Sequence, residues 1–462
     1  MTTYKLTPAQ NMHNIWIHDY KTQQVSGVSI VAALKAPMEL DVLEECVREE
    51  YRRSACLRLQ FTKPDNDGSV RQYIVPAETD LGKIARFDMT GLTSEEADTT
   101  MQNWAYETFD GDDIPMCEFR LVRLPNGYNG VFVHMDHRLI DSSGIAGIMR
   151  DLFGLYAAKT FGMKKPDMPA DFEQVLRRDL EKCENVRRAE KDRRFWTEQL
   201  DTYGEPLYSD IQGPSVLEEA RKKHNDPNLR AADVEMNDLF VDVLDYYLEP
   251  EATHRVLRFC ERCQLSPTNL LLLTIRTYLS KQNGGQEDIT IQNFISRRST
   301  VDEWHSGGSR TIMFPCRTVF PADTEFMDAA MQLQTLQNRI YMHGSYDPAL
   351  IREEMQKRYH TPPHTAYESF YLTYQPSSVT TNSGSLKGIP LYVKWFANGA
   401  ATKKMYLTVS HTDKGEMRFS YHYQTAHLTA DEVEKLYYYM MKIMFKGIQS
   451  PDLTLGEIMA TV

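Results

Sequence analysis

The sequence predicts a mixed fold of helices and strands, of the α/β or α+β class, arranged as two domains. Short apolar, β-branched segments alternate with amphipathic helical segments along most of the chain. The 462 residues exceed what one ordinary hydrophobic core accommodates, so two domains of roughly 200 residues each are expected. The second half repeats the alternation of helices and strands seen in the first, which agrees with two domains of similar size.

Composition and charge exclude several classes of protein. The chain is 42% apolar and 25% charged, which is ordinary for a globular protein. Its net charge of -12 argues against nucleic acid as the main partner. No apolar run of membrane-spanning length and no signal peptide are found. The seven scattered cysteines are typical of reduced thiols and indicate no metal site. We therefore expect a cytoplasmic protein without a membrane span.

The individual elements follow from apolar periodicity and from end signals. Thr7 followed by Pro8 predicts a helix start. Helices are predicted over 39–50, 94–107, 142–156, 173–200, 249–264, 268–281, 323–341 and 429–445. Strands are predicted over 28–33, 57–61, 70–75, 117–124, 131–135, 288–295, 310–320, 369–374, 391–396, 404–409 and 418–423. Residues 204–237 show little periodicity, which favours a domain boundary there.

The stretch 131–156 joins a buried strand, a tight loop and an amphipathic helix. The helix is predicted to open near Ser142 or Ser143, because serine is a favourable N-cap residue. The loop between strand and helix is rich in ionisable side chains, including Asp136, His137 and Asp141. Such residues are costly between two buried elements unless they are paired or used in chemistry.

His137 and Asp141, spaced H-x-x-x-D, are the candidate catalytic pair. A neutral imidazole is a natural general base near pH 7. Asp141 could hold the imidazole directly, or it could fix the loop backbone together with a distant arginine. The alternative is that neither residue is catalytic: His137 is a strand-end histidine facing solvent, and Asp141 caps the next helix. The pattern alone leaves these interpretations open.

Segments spread over nearly the whole chain match the motif order of one known family. They are 6–10 followed by Trp16, 56–58, 136–142, 265–273, 291–298, 308–317 and 370–375. In this order they resemble the condensation-domain superfamily of nonribosomal peptide synthesis, which shares its fold with chloramphenicol acetyltransferase-like acyltransferases.

The resemblance implies two chloramphenicol acetyltransferase-like lobes in a V-shaped pseudo-dimer with a central tunnel. Residues 1–205 would form the N-terminal lobe, 206–237 a linker and 238–462 the C-terminal lobe. The implied protein is a stand-alone acyltransferase that forms an amide or ester from an acyl thioester and an amine or alcohol. The donor would be a phosphopantetheine thioester on an acyl or peptidyl carrier protein, or acyl-CoA. No permanently bound cofactor is expected, and we expect a monomer.

The resemblance also assigns roles to residues of the site. His137 would act as the base or positioning group for the attacking nucleophile. Asp141 would be mainly structural and pair with Arg298, with Arg297 as the neighbouring alternative. Substrate-binding positions are implied at Ser142, Ser143, Gly144 and Gln375.

Two departures from the family pattern leave alternatives open. Asp136 stands where the signature has its first histidine, and Ser142 stands where it has glycine. Side chains alternate along a strand, so Asp136 and His137 would lie on opposite sides of the strand end, which favours a structural role for Asp136. Asp136 together with Asp141 is also similar to the motif of heterocyclization domains, so a heterocyclization-type reaction using both carboxylates is one alternative. The other is a catalytically degenerate binding protein of the same fold.

Overall fold

A computed structural model of the protein describes residues 1–66, 68–375 and 388–462. The elements up to residue 233, in chain order, are β1 (Thr3–Lys5), α1 (Pro8–Tyr20), β2 (Gly27–Leu34), α2 (Leu40–Arg53), β3 (Leu59–Phe61), β4 (Arg71–Ile74), β5 (Ala85–Asp88), α3 (Ser94–Ala105), β6 (Cys117–Arg123), β7 (Asn129–Asp136), α4 (Ser142–Phe161), α5 (Phe172–Glu184), α6 (Val186–Tyr203), α7 (Ser215–His224) and β8 (Ala232–Asp233).

The remaining elements complete the chain. They are β9 (Val241–Leu248), α8 (Pro250–Arg262), α9 (Pro267–Gln282), β10 (Asp288–Ser296), α10 (Val301–His305), β11 (Thr311–Val319), α11 (Phe326–Met342), α12 (Pro348–Tyr359), β12 (Thr365–Ala366), β13 (Phe370–Gln375), β14 (Leu391–Phe396), β15 (Met405–His411), β16 (Met417–Gln424), α13 (Ala430–Gln449) and α14 (Leu455–Ala460). The predicted mixture of helices and strands is confirmed. Within the described residues, no helix is both long and apolar enough to cross a bilayer.

The chain forms two compact units, and the first contains residues 1–185, 296–311 and 388–400. Its main sheet has the strand order β14-β2-β7-β6-β5. β7 lies between β2 and β6 and is antiparallel to both. The side chains of α2 and α4 pack with alternate residues of β7 in one apolar core, and those of α3 pack with the others on the opposite face. A strand buried on both faces reads as a nearly continuous apolar run, and 131–135 is such a run apart from His134.

The second unit contains residues 186–295, 312–375 and 401–462. Its sheet has the strand order β11-β10-β13-β15-β16-β9. β13 is parallel to β10 and β15, while β16 is antiparallel to β15 and β9. Helix α9 is buried along residues 268–280, so it forms much of this unit's core.

Several features differ from the sequence prediction. The single helix predicted over 173–200 is two helices, α5 and α6, because Asn185 adopts an extended backbone with ψ of 104°. Region 206–237, predicted as a linker, carries α7 and β8 around a small apolar cluster. The two units also differ from the predicted lobes. Residues 296–311 and 388–400 belong to the first unit, and residues 186–205 belong to the second.

Candidate active site

His137 is the partly exposed residue of an otherwise buried stretch. Of residues 130–141, all of which the structure describes, His137 is the one that is not buried. Its amide donates a hydrogen bond to the Ser26 carbonyl at 2.6 Å, which fixes the backbone just after β7. An imidazole in this position can meet a solute while its backbone is held by the core.

Two other histidines lie near the end of β7 and behave differently. His134 is buried, its Nδ1 lies 2.8 Å from the Ser29 hydroxyl, and burial lowers its pKa. It is a packed strand histidine. His13 of α1 stacks on the His137 ring, with ring centroids 4.2 Å apart and planes inclined by 16°. Sequence reasoning missed this contact, because no local spacing connects α1 with the end of β7.

Asp136 is engaged on both carboxylate oxygens. Oδ1 accepts from the Arg138 amide at 2.7 Å, from Arg138 Nε at 3.0 Å and from the Ser26 hydroxyl at 3.0 Å. Oδ2 accepts from Arg138 Nη2 at 3.0 Å. Asp136 is 1% exposed. This paired carboxylate ties the loop to the segment before β2, and its lone pairs point at protein donors.

Asp141 joins the same loop to segment 296–311. It accepts two hydrogen bonds from the Arg298 guanidinium, at 2.7 and 2.8 Å. The amides of Arg310 and Thr311 and the Thr311 hydroxyl also donate to it, at 2.9, 3.0 and 3.0 Å. The Gly144 amide donates at 3.0 Å, so Asp141, rather than Ser142 or Ser143, is the N-cap of α4. Of the two arginines considered from the sequence, Arg298 makes the contact.

The electrostatics of Asp141 follow from these donors. Its side chain and that of Arg298 are 1% and 0% exposed. Burial alone would raise the pKa of Asp141, but the Arg298 charge and the surrounding hydrogen bonds hold that pKa well below its ordinary value. The pair is therefore ionised in the folded protein, and a bidentate, desolvated arginine–carboxylate pair is geometrically specific.

A second buried network holds segment 296–311 against α5. The Arg310 guanidinium contacts Asp179, through Nη1 to Oδ2 and through Nη2 to Oδ1 at 3.0 Å, and it lies 3.2 Å from Glu303. Lys182 lies 2.9 Å from Glu303. Burial opposes ionisation of Glu303, but the Ser299 amide, Lys182 and Arg310 lower its pKa to about 2. The segment that supplies Arg298 is thus held at several points.

Gly307 and Gly308 let this segment approach the loop. Their φ angles are 72° and 83°, in the left-handed region that favours glycine. A Cβ at Gly308 would lie 2.4 Å from a ring carbon of Phe172, and one at Gly307 would lie 2.5 Å from the sulfur of Cys56. The Gly308 carbonyl accepts from Arg298 at 3.0 Å. A side chain at either position would therefore clash with Cys56 or Phe172 unless the segment shifted.

The remaining predicted site residues fall in different places. Ser142 and Ser143 lie in the first turn of α4 and are half-buried. Gly144 is buried and its amide is used by Asp141, so this amide does not face a substrate. Gln375 ends β13 in the second unit, opposite Ser410. Among the described residues, no group of three or more His, Cys, Asp or Glu side chains is placed to hold a metal ion.

Solved structures with similar folds include condensation domains of peptide synthetases. The first condensation domain of the calcium-dependent antibiotic synthetase, solved with a substrate analogue, is 15% identical, with a TM-score of 0.78 over 99% of this chain and 98% of that one. The starter condensation domain of rhizomide synthetase RzmA, solved as a variant with C8-CoA, is 16% identical, with a TM-score of 0.79 over 98% and 97% of the two chains. These likenesses show the chloramphenicol acetyltransferase-like fold in this chain.

The sequence comparisons give the family. A family model for the condensation domain matches residues 1–461, so the chain belongs to the condensation-domain family. Condensation domains are acyl- and peptidyl-transferring enzymes of nonribosomal peptide synthesis. A stretch of 166 residues is 28% identical to phosphinothricin tripeptide synthetase PhsB of Streptomyces viridochromogenes. That match spans 34% of this chain and 14% of the relative.

Proposed function

We propose that the protein is a condensation-type acyltransferase that joins a thioester-bound acyl group to an amine or alcohol, forming an amide or ester. The observation that carries this proposal is the partly exposed imidazole of His137, at the end of a buried strand and beside a loop locked by Asp141 and Arg298. A partly exposed base on a fixed backbone suits general-base catalysis of thioester aminolysis or alcoholysis.

His137 would act on the acceptor nucleophile. The acceptor nitrogen or oxygen forms a bond to the thioester carbonyl carbon while its proton passes to the imidazole. The carbon–sulfur bond then breaks, and the thiolate takes up the proton from the imidazolium. The tetrahedral intermediate carries an oxyanion that needs hydrogen-bond donors. Since the Gly144 amide is used by Asp141, the half-exposed Ser142 and Ser143 are the donors we propose.

Asp141 would act on the loop rather than on the reacting atoms. Its described partners are the Arg298 guanidinium and groups of Gly144, Arg310 and Thr311. These contacts fix the backbone between His137 and α4. Substrates would therefore meet a loop that does not reorganise during the reaction, which is the condition for electrostatic preorganisation.

The contacts of Asp136 favour acyl transfer over heterocyclization. A carboxylate that acts as a general base needs an open lone pair within reach of the substrate. Both oxygens of Asp136 accept from Arg138, and one also accepts from Ser26, in a buried position. We therefore propose a structural role for Asp136.

The donor we propose is a thioester of phosphopantetheine, on a carrier protein or in CoA. The C8-CoA complex of the RzmA starter domain, which shares this fold, supports a CoA donor. The partial match to a peptide synthetase supports a carrier-bound donor. Both donors present the same thioester, so the chemistry proposed for His137 is common to them.

A direct test is a mass-spectrometric screen of the purified protein. Octanoyl-CoA and an octanoyl-loaded carrier protein would each be combined with mixed amino acids, amines and alcohols, and released thiol would be measured in parallel. We expect products whose mass equals acyl plus acceptor, with one thiol released per product. A product lacking a further water would favour heterocyclization instead. No turnover, together with a ligand-dependent rise in melting temperature, would identify a binding protein and contradict the proposal.

A further inference from the structure

We propose that His13 is a positioning residue for His137, setting the plane of its imidazole by face-to-face stacking. The effect on catalysis rests on the proposed function of His137. The stacking of the two rings does not depend on that function. The ring centroids of the two histidines lie 4.2 Å apart and their planes are inclined by 16°. Aromatic rings in this arrangement attract each other beyond the effect of burial.

His13 packs against a neighbouring aromatic side chain on α1. It is 5% exposed, and Trp16, one turn further along the same helix, is 8% exposed. The His13 and Trp16 rings form a T-shaped pair, with centroids 5.0 Å apart and an interplanar angle of 85°. Residues three apart on a helix share one face. His13 therefore contacts Trp16 on its own helix and stacks on His137.

Helix α1 is itself fixed to the loop that carries His137. Thr7 and Gln10 form a capping box at its start. The Gln10 side chain donates to the Arg138 carbonyl at 3.1 Å, and Arg138 Nη1 donates to the Asn14 side chain at 3.2 Å. These bonds bracket His13 and leave α1 little freedom to move relative to residue 138.

The remaining freedom of His137 lies in its side chain. Its backbone is held by the bond to Ser26, but the torsion that turns an imidazole about its Cβ–Cγ bond is broad and roughly two-fold. A general base must point one nitrogen at the acceptor within narrow limits. Stacking holds the His137 ring nearly parallel to the His13 ring and so restricts rotation about the Cβ–Cγ bond.

The test compares two substitutions that separate ring shape from ring chemistry. His13→Phe keeps a flat ring without nitrogen atoms, and His13→Leu keeps an apolar side chain without a ring. His18→Leu is the matched control, since His18 lies on the same helix with its side chain 87% exposed. His13→Met replaces His13→Leu if the latter does not fold.

The first readout is the NMR spectrum of isotope-labelled histidine in the full chain, with the His137 signals assigned from a His137→Gln variant. Ring-current shifts of His137 should persist in His13→Phe and move toward those of a free imidazole in His13→Leu. This measurement requires no turnover, so it decides on the stacking even if the proposed reaction fails. An unchanged His137 signal in His13→Leu overturns the proposal.

The second readout is turnover with the donor and acceptor found in the screen. We expect kcat to fall about fivefold to tenfold in His13→Leu, with KM for the donor unchanged, and to stay within about twofold of wild type in His13→Phe and His18→Leu. If His13→Phe loses as much activity as His13→Leu while keeping the stacked signal, a His13 nitrogen matters rather than its ring, and the proposal is wrong.

Discussion

Replacing Arg298 with alanine would leave the Asp141 carboxylate buried without its cation. The wild-type pair makes two charge-assisted hydrogen bonds of 2.7 and 2.8 Å, with side chains 0% and 1% exposed. Removing one partner of a buried pair costs about 3–5 kcal/mol, because the other charge stays desolvated. With a urea m-value of about 2 kcal/mol per molar, the unfolding midpoint should fall by about 1.5–2.5 M.

A matched control uses an exposed ion pair between α5 and the segment that carries Arg298. Arg178 and Asp302 lie 3.0 Å apart and are 50% and 49% exposed, so Arg178→Ala should cost less than about 1 kcal/mol. Both variants and Asp141→Asn would be unfolded in urea and followed by circular dichroism and tryptophan fluorescence. The double variant Arg298→Ala/Asp141→Asn should show a coupling of about 2 kcal/mol or more. An Arg298→Ala protein no less stable than Arg178→Ala would refute this reasoning.

Three further predictions concern pH and backbone. The pKa of Asp141 is lowered on folding, so its contribution to stability is complete above its unfolded pKa of about 3.9 and is lost as the pH falls toward the folded value. In urea titrations between pH 3 and 5, Asp141→Asn should therefore show a slope smaller by up to roughly 1.4 kcal/mol per pH unit; equal slopes would contradict this. Burial raises the pKa of Glu50 to about 8, so folding binds a proton and stability falls as the pH rises from about 5 to 8. The same titrations on Glu50→Gln should give a flatter profile in that window, and an unchanged profile would argue against a raised pKa. Gly308→Ala should lose about 2 kcal/mol or more in the free energy of unfolding, because φ is 83° and the new Cβ would meet Phe172; a neutral effect would show that the segment can yield.

Local patterns predicted the elements that carry the site. The apolar run before His137 and the helical periodicity after Asp141 are short-range features, so they located β7, the loop and α4 from the sequence. The partner of Asp141 was predicted from family resemblance, because spacing alone does not say which distant arginine reaches a buried carboxylate. The structure adds the amides of Arg310 and Thr311 to that arginine.

Features set by tertiary contacts were not predictable. The charged periodicity of 173–200 continues across Asn185, where the chain leaves the helical conformation. Asp136 reads as a departure from a catalytic motif, and only its contacts with Arg138 and Ser26 reveal a paired carboxylate. The stacking of His13 joins residues far apart in sequence. The spacing of His13 and Trp16 predicts that they share one helix face, but it does not predict that His137 contacts His13.

In the proposed reaction, His137 takes the proton of the attacking acceptor. The most direct measurement is kcat of His137→Ala against wild type with one donor–acceptor pair, with His18→Ala as the control and melting temperatures checked for all three. We predict a loss of roughly a hundredfold or more for His137→Ala and none for His18→Ala, at equal stability. Turnover by His137→Ala within a few-fold of wild type would contradict the account.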